Sequence, residues 1–274
     1  MNDAAMKMPM DVKGSGAPLV LVGGGLTGWL SWEPHQARLA STRRVARAQL
    51  LAVQYGLDDV PLPTGYSVRM ESEALAAAID AHMPPGPIDL AAWSYGAAIT
   101  LDYALDHPDR VRTLTLIEPP AFWVLDATGT GDPESARQSD AMHALYRTMT
   151  GDVTEDQLAA FVCQAGLCPP GKSPKELPQW SVWVKHRRSL RTGDAPWMHT
   201  DTAARLNAFD KPVLLVKGTG SAHFLHRIED GLAKALPHAQ MIELPGGHAP
   251  NIVAMDEFLE RMTAFERDAW QSRH

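Results

Sequence analysis

Short apolar runs alternate with longer amphipathic stretches along most of this chain, and no other feature of the sequence restricts its fold as strongly. Runs rich in Val, Leu and Ile are typical of strands buried on both faces, and the stretches between them are typical of helices that cover a parallel sheet. We therefore expect an α/β fold with a mostly parallel central sheet and helices on both of its faces. The predicted strands are residues 18–22, 48–53, 88–93, 111–117, 212–217 and 240–244.

Helical patterns separate these strands, and one further strand is expected before them. Ser67 suits the N-cap of the helix predicted over residues 67–82, because its side chain can accept a hydrogen bond from a free amide of the first turn. The residues before the first parallel strand leave room for an antiparallel strand around residues 7–12. The remaining predicted helices are residues 95–105, 223–236 and 256–270.

Residues 122–210 interrupt the alternation. They contain no strand-like apolar run, and Pro and Gly punctuate their amphipathic stretches. Aromatic residues between Phe161 and Trp197 argue against a disordered linker, because disordered segments are poor in aromatics. We predict one core formed by residues 1–121 and 211–274, and a helical cap formed by residues 122–210.

Charge and cysteine content exclude several classes of protein. A net charge of −7 over 274 residues argues against a nucleic-acid partner, because phosphate recognition needs clustered Lys and Arg. No stretch is apolar enough to span a membrane, and the N-terminus lacks the features of a signal peptide. Cys163 and Cys168 lie too close in sequence to staple such a fold, so we expect a core that holds together without disulfides in a reducing cytoplasm, with both residues as small apolar filler. The oligomeric state stays open, a homodimer included.

Ser94 lies where a predicted strand gives way to a predicted helix, in the segment Ala92-Trp93-Ser94-Tyr95-Gly96. Small residues two positions before and after a serine allow a tight turn that presents the hydroxyl at the C-terminal edge of a sheet. The alternative is a serine that merely caps the helix. We predict that Ser94 is a nucleophile.

A glycine-rich loop, residues 23–28, follows the first parallel strand. Its backbone can approach a site closely, so the amides of Gly25 and Tyr95 are predicted to form an oxyanion hole. A phosphate-binding loop is the alternative, but the run matches neither common nucleotide-binding glycine pattern, and no lysine follows it.

His248 follows two glycines directly after the last predicted strand, and it is the predicted general base. His223 and His226 lie three residues apart on a predicted helix, a spacing that two metal ligands can share. No further cluster of ligands stands near them in sequence, so a surface or pocket position is preferred. The sequence implies no metal and no cofactor.

These features together resemble the α/β-hydrolase superfamily, in which the nucleophile, the acid and the histidine follow in that order along the chain. The resemblance implies the α/β-hydrolase fold. The serine nucleophile disfavours haloalkane dehalogenases and epoxide hydrolases, which share this fold but use aspartate. The matching segments cover nearly the whole chain except the cap: the glycines at 23–25, Trp32-Glu33-Pro34, the Ser94 turn, residues 107–111, residues 212–218 and Gly247-His248.

The acid departs from the superfamily pattern. Its usual place, after the strand that ends at Gly218, is taken by Ser221, whose uncharged hydroxyl is expected to contribute little. Some members that resemble this pattern place the acid one strand earlier, where Glu118 follows residues 111–117 and Pro119 stops the strand. We assign Glu118 as the acid. The alternatives are a purely structural role for Glu118, Asp126 or Asp230 as the acid, and a water-bridged pair without an acid.

The expected reaction is hydrolysis of a carboxylic ester or lactone through an acyl-enzyme. Aromatic residues of the cap favour a small apolar or aromatic ester-like substrate. Rival functions are a thioesterase, a C–C hydrolase or an acyltransferase with the same triad, and a non-catalytic small-molecule-binding protein on the same scaffold. The predicted pocket residues are Leu26, Phe122, Trp123 and Trp183.

Overall fold

Seven strands form one sheet in the computed structural model, which describes residues 7–169 and 171–271. The strands are β1 Met10–Lys13, β2 Ala17–Val22, β3 Arg43–Ala48, β4 Ile88–Trp93, β5 Val111–Ile117, β6 Val213–Gly218 and β7 Ala239–Leu244. They lie in the order β1-β3-β2-β4-β5-β6-β7, with β1 antiparallel to β3 and the other neighbours parallel. The predicted α/β fold is confirmed. The prediction that the N-terminus is not a signal peptide falls partly on residues 1–6, which lie outside the described residues.

Helices cover both faces of the sheet, and alternate strand residues pack against different helices. The helices outside the cap are α1 Glu33–Leu39, α2 Leu51–Leu57, α3 Val68–His82, α4 Tyr95–Asp106, α11 His223–Ala235, α12 Pro250–Val253 and α13 Met255–Gln271. Leu21 of β2 belongs to the apolar cluster that includes Phe258 of α13. The next residue, Val22, belongs to the cluster that includes Leu75 of α3. Successive side chains of a strand point to opposite faces, so both faces are buried.

The predicted strand at residues 48–53 is wrong. β3 ends at Ala48, and α2 begins at Leu51. β3 carries the buried side chains of Arg43 and Arg47, whose ion pairs with carboxylates satisfy their charges, so the strand does not appear as an apolar run. The apolar residues that follow are buried within and before α2 instead.

The N-terminus of α2 is capped from a distance. Leu50 stands at the N-cap position and offers no side-chain acceptor. The carboxylate of Glu71 on α3 accepts hydrogen bonds from the amides of Leu51 and Ala52, each at 2.8 Å. A buried carboxylate therefore replaces the local cap that helix starts usually have.

Residues 122–210, the predicted cap, form helices and turns, with no strand among those that the structure describes. Its buried side chains form a separate apolar cluster that includes Met142, Leu158 and Trp183 and reaches Leu26 of the glycine-rich loop. Ser189 also donates a hydrogen bond to the carbonyl of Leu26, at 2.8 Å. The cap helices are α5 Trp123–Thr128, α6 Pro133–Thr148, α7 Glu155–Gln164, α8 Trp180–His186, α9 Ala195–Met198 and α10 Ala203–Ala208.

None of the helices in the described part of the chain combines the length and the apolar character that crossing a bilayer requires.

A buried ionic cluster ties the sheet to α13. Asp89 of β4 accepts hydrogen bonds from Arg112 Nε and Thr113 Oγ1 of β5, both at 2.7 Å, and it pairs with Arg43 of β3. Arg43 also lies 2.5 Å from Glu266 of α13. Because Asp89 is fully buried, its loss would leave two cations without their shared partner.

We predict that Asp89→Ala lowers the free energy of unfolding by about 3 kcal/mol or more, because breaking a buried ion pair leaves the charged partner groups buried without their counter-charge. Urea denaturation followed by circular dichroism measures this change. Asp109→Ala, at an exposed position, is the matched control and should change stability by less than about 0.5 kcal/mol. Equal stabilities of the two variants would contradict the structural role of the cluster.

Candidate active site

Ser94 occupies a strained turn between β4 and α4. Its φ and ψ angles of 56° and −131° are rare for a residue with a side chain. The turn is held by a hydrogen bond from the Ser94 amide to the carbonyl of Ile117, at 2.9 Å. A Cβ on Gly96 would lie 2.2 Å from the carbonyl oxygen of Gly23, so the turn requires glycine at this position. The tight turn therefore places the Ser94 side chain at the C-terminal edge of the sheet.

His248 lies beside Ser94, with its Nε2 2.7 Å from the serine Oγ. Two hydrogen bonds fix its backbone: Trp93 Nε1 donates to its carbonyl at 2.5 Å, and its amide donates to the carbonyl of Gly166 in the cap at 3.1 Å. A Cβ on Gly247 would lie 2.0 Å from that Gly166 oxygen, which explains the glycine before the histidine. Both the core and the cap thus position the imidazole.

Glu118 lies at the end of β5, fully buried, with a positive φ of 48°. One carboxylate oxygen, Oε2, is 2.9 Å from His248 Nδ1, and the other accepts the amide of Gly218 at 2.7 Å. A carboxylate acceptor at Nδ1 places the proton on that nitrogen and leaves Nε2 free to accept the Ser94 hydroxyl proton. The structure thus brings Ser94, His248 and Glu118 together in one hydrogen-bonded chain.

The alternative acids lie elsewhere. Asp126 is exposed on α5. Asp230 pairs with Lys217 at 2.8 Å and with Arg227 at 3.1 Å. Neither carboxylate is within hydrogen-bonding distance of His248 in the contacts of the described residues.

Ser221 was expected to contribute little because it carries no charge, but it contacts Glu118. Its hydroxyl donates a hydrogen bond to Glu118 Oε2, the same oxygen that faces His248. Ser221 and Glu118 lie far apart in sequence, so only the neighbouring positions of β5 and β6 reveal the contact. Ser221 occupies the usual place of the acid and donates a hydrogen bond to the carboxylate that is predicted to replace it.

Glu229 of α11 is a second carboxyl group that the sequence did not single out. It is fully buried, and its Oε1 accepts the backbone amide of Glu118 at 3.3 Å. Among the described residues, its Oε2 has no hydrogen-bond partner. Burial, reinforced by the nearby charge of Glu118, raises the pKa of Glu229 well above its usual value.

The predicted oxyanion donors lie on adjoining elements. Tyr95 is the first residue of α4, so its amide has no acceptor four residues earlier within the helix. Gly25 lies against it: a Cβ on Gly25 would be 3.4 Å from the Cβ of Tyr95. Tyr95 is itself anchored, because its hydroxyl lies 3.2 Å from that of Tyr66, which donates to Glu71 at 2.8 Å.

A small apolar cavity of about 60 Å³ adjoins Ser94 and His248. Leu26 and Phe122 line it, as predicted. The prediction for Trp123 is wrong, because successive residues at the start of a helix point in different directions and Trp123 faces His199 instead. Trp183 lines a separate groove beside the cavity. The cap and α11 supply most of the remaining wall: Met142, Tyr146, Phe161, Leu167, Trp197, Phe224 and Leu225.

The two histidines three residues apart do not share a site. His223 Nε2 lies 2.8 Å from a carboxylate oxygen of Asp132, and His226 Nε2 lies 2.8 Å from the carbonyl oxygen of Gly218. In the part of the chain that the structure describes, no three His, Cys, Asp or Glu side chains are grouped to hold a metal ion.

Comparison with known proteins places this chain in a family. A family model described as the alpha/beta hydrolase family matches residues 19–261. The 2-hydroxymuconate semialdehyde hydrolase of Pseudomonas sp. is 27% identical over 174 residues, which cover 61% of this chain and 60% of that protein. The pimeloyl-(acyl-carrier protein) methyl ester esterase of Nitrosomonas europaea is 26% identical over 224 residues, covering 76% of this chain and 84% of that protein. The chain thus spans less than two thirds of the length of the first relative.

A solved structure agrees with the family match. The alpha/beta hydrolase of Sphaerobacter thermophilus is 26% identical, with a TM-score of 0.64 over 92% of this chain and 96% of that chain. The relatives named above are hydrolases, and the family model covers most of the present sequence. The chain therefore belongs to the alpha/beta hydrolase family.

Proposed function

We propose that this enzyme hydrolyses a carboxylic ester or lactone through an acyl-enzyme on Ser94. The observation that carries the proposal is the hydrogen-bonded chain from Ser94 Oγ through His248 to Glu118, with distances of 2.7 and 2.9 Å. A serine hydroxyl, an imidazole and a buried carboxylate in this order supply a nucleophile, a base and a counter-charge.

Acylation begins when Ser94 Oγ attacks the carbonyl carbon and its proton passes to His248 Nε2. The new C–O bond turns the carbonyl oxygen into an oxyanion, to which the amides of Gly25 and Tyr95 donate hydrogen bonds. Glu118 stabilises the imidazolium because its negative charge lies next to Nδ1. The C–O bond to the alcohol then breaks, and His248 returns the proton to the leaving oxygen.

Deacylation repeats these steps with water. His248 takes a proton from a water molecule, the resulting hydroxide attacks the acyl carbon, and the bond to Ser94 Oγ breaks as His248 gives that oxygen its proton. The enzyme is restored, and the acid product leaves.

The apolar cavity favours an uncharged acyl group. The Pseudomonas relative is named for a 2-hydroxymuconate semialdehyde, a substrate with a carboxylate. None of the described residues that line the cavity is Lys or Arg, so a carboxylate bound there would lack a cation and would lose its hydration. This absence supports ester hydrolysis over cleavage of a C–C bond in such an acid.

We predict that Ser94→Ala lowers kcat for p-nitrophenyl butanoate by more than about a thousandfold, because the substitution removes the hydroxyl that attacks the carbonyl carbon. A spectrophotometric assay measures the loss, and circular dichroism checks that the fold is retained. Turnover within about tenfold of the wild type would refute the acyl-enzyme on Ser94.

We predict a graded response for the acid and its support. Glu118→Gln should lower kcat by about a thousandfold, because an amide cannot stabilise the imidazolium by charge. Ser221→Ala should lower it by about tenfold, because one hydrogen bond to a charged oxygen is lost.

Asp126→Asn is the control for the acid and should change kcat by less than about twofold. A large loss in this control with full activity in Glu118→Gln would reverse the assignment. Stopped-flow or steady-state kinetics on the same ester measure all three variants.

A further inference from the structure

The cavity beside Ser94 and His248 has few polar side chains in its wall. Most of the described residues that line it are aliphatic, aromatic or glycine. Apart from Ser94 and His248, the lining side chains with an N–H or O–H group are Trp93, Tyr95, Tyr146 and Trp197. Polar recognition of a substrate by side chains in this cavity therefore depends on which of these four groups is free.

The two indoles are engaged within the protein. Trp93 Nε1 donates a hydrogen bond to the carbonyl of His248 at 2.5 Å. Trp197 Nε1 donates to Ser139 Oγ at 3.1 Å. An indole has a single N–H donor and no acceptor, so neither ring has a donor left for a ligand.

The proton of the Tyr95 hydroxyl is engaged as well. Its oxygen lies 3.2 Å from the hydroxyl oxygen of Tyr66. Tyr66 donates its own proton to Glu71 at 2.8 Å, so in the contact between the two tyrosines Tyr95 donates and Tyr66 accepts. Tyr95 therefore offers a ligand no donor.

Tyr146 of α6 differs from the other three. No hydrogen bond joins its hydroxyl to another residue in the described part of the chain. The side chain is half-buried and lines the cavity. A phenol keeps its proton at neutral pH, and burial raises the pKa of Tyr146 further. The cavity wall thus presents one hydroxyl whose proton has no acceptor among the described residues.

Aromatic contacts hold the Tyr146 ring in place. Its centroid lies 5.8 Å from that of Phe161, with the two rings nearly perpendicular, and 5.3 Å from that of Trp197. Both partners line the same cavity. Edge-to-face contacts of this kind are favourable, and a ring that is already held in place loses little side-chain freedom when its hydroxyl binds a ligand.

A substrate that fills this cavity changes the hydration of the Tyr146 hydroxyl. An alkyl group would displace water from the hydroxyl without replacing its hydrogen bond, which costs free energy. A ketone or ether oxygen would also lose its water in so apolar a space. When such an oxygen accepts the Tyr146 proton, both costs are offset by one hydrogen bond.

We propose that Tyr146 is a specificity-determining residue whose hydroxyl donates a hydrogen bond to an uncharged substrate oxygen outside the reacting ester group. The substrate is then an ester or lactone with a second carbonyl or ether oxygen in the part that the cavity encloses. This inference rests on the proposed ester hydrolysis and narrows its substrate class.

Four pairs of esters, in which a carbonyl replaces one methylene, test the proposal. In the acyl half, p-nitrophenyl 4-oxopentanoate is compared with the pentanoate, and p-nitrophenyl 5-oxohexanoate with the hexanoate. In the alcohol half, 3-oxobutyl acetate is compared with butyl acetate, and 4-oxopentyl acetate with pentyl acetate. A pH-stat assay gives kcat/KM for each ester, and the ratio of the oxo ester to its parent is the selectivity.

Tyr146→Phe should lower this selectivity by about fivefold or more for at least one pair, because the substitution removes the donor and leaves the ring. Intrinsic differences in ester reactivity cancel, since the same two esters are compared in both proteins. The same selectivity in the wild type and in Tyr146→Phe for all four pairs would overturn the proposal.

Tyr55→Phe is the matched control. Tyr55 is also a half-buried tyrosine, but it lies on α2 and does not line the cavity. Its loss of a hydroxyl should change the selectivity by less than about twofold. An equal fall in selectivity in both variants would overturn the assignment to the cavity hydroxyl. Thermal melts check that both variants are folded.

Failure of the underlying function gives a different result. If no ester is turned over and a fluorophosphonate does not label Ser94, the proposed ester hydrolysis is refuted together with this inference. If the parent esters are turned over and the selectivity does not depend on Tyr146, the role of Tyr146 alone is refuted.

Discussion

The hydrogen bond between the buried Glu118 carboxylate and Nδ1 of His248 is the interaction on which the candidate site depends. Four adjacent parallel strands end at this point: β4 delivers Ser94, β5 delivers Glu118, β6 delivers Ser221 and the loop after β7 delivers His248. Side chains at the carboxyl ends of neighbouring parallel strands meet at one edge of the sheet. The sheet order, more than any single motif, therefore assembles the site.

Backbone strain at that edge of the sheet is accompanied by a buried ionic cluster toward the other end of the same strands. Ser94 and Glu118 both adopt positive φ angles, which ordinary residues avoid. Toward the other end of the sheet, Asp89 and its arginine partners join β3, β4 and β5 and connect them to α13. A well-packed sheet with buried faces can hold strained residues in place, because local relaxation would disrupt packing and hydrogen bonds over several strands. Stability and reactivity thus lie at opposite ends of the same strands.

The sequence predicts well what depends on neighbours along the chain. Three features of this kind were local patterns: the turn at Ser94, the glycines before His248 and the N-cap at Ser67. The Ser67 side chain accepts a hydrogen bond from the amide of Met70 at 3.2 Å. It predicts poorly what depends on distant partners. The contact of Ser221 with Glu118 spans 103 positions, and that of Glu229 with Glu118 spans 111. β3 was missed for the same reason, since its arginines are buried through partners on other elements.

The central claim is that Glu118, from the strand next to the nucleophile, activates Ser94 through His248. The most direct measurement is the rate at which an alkyl fluorophosphonate forms a covalent adduct, with the modified residue located by peptide mass mapping. We expect an adduct on Ser94 in the wild-type protein, formed about a hundredfold or more slowly in Glu118→Gln, because the imidazolium loses its counter-charge. An adduct on another residue, or equal rates in the two proteins, would contradict it.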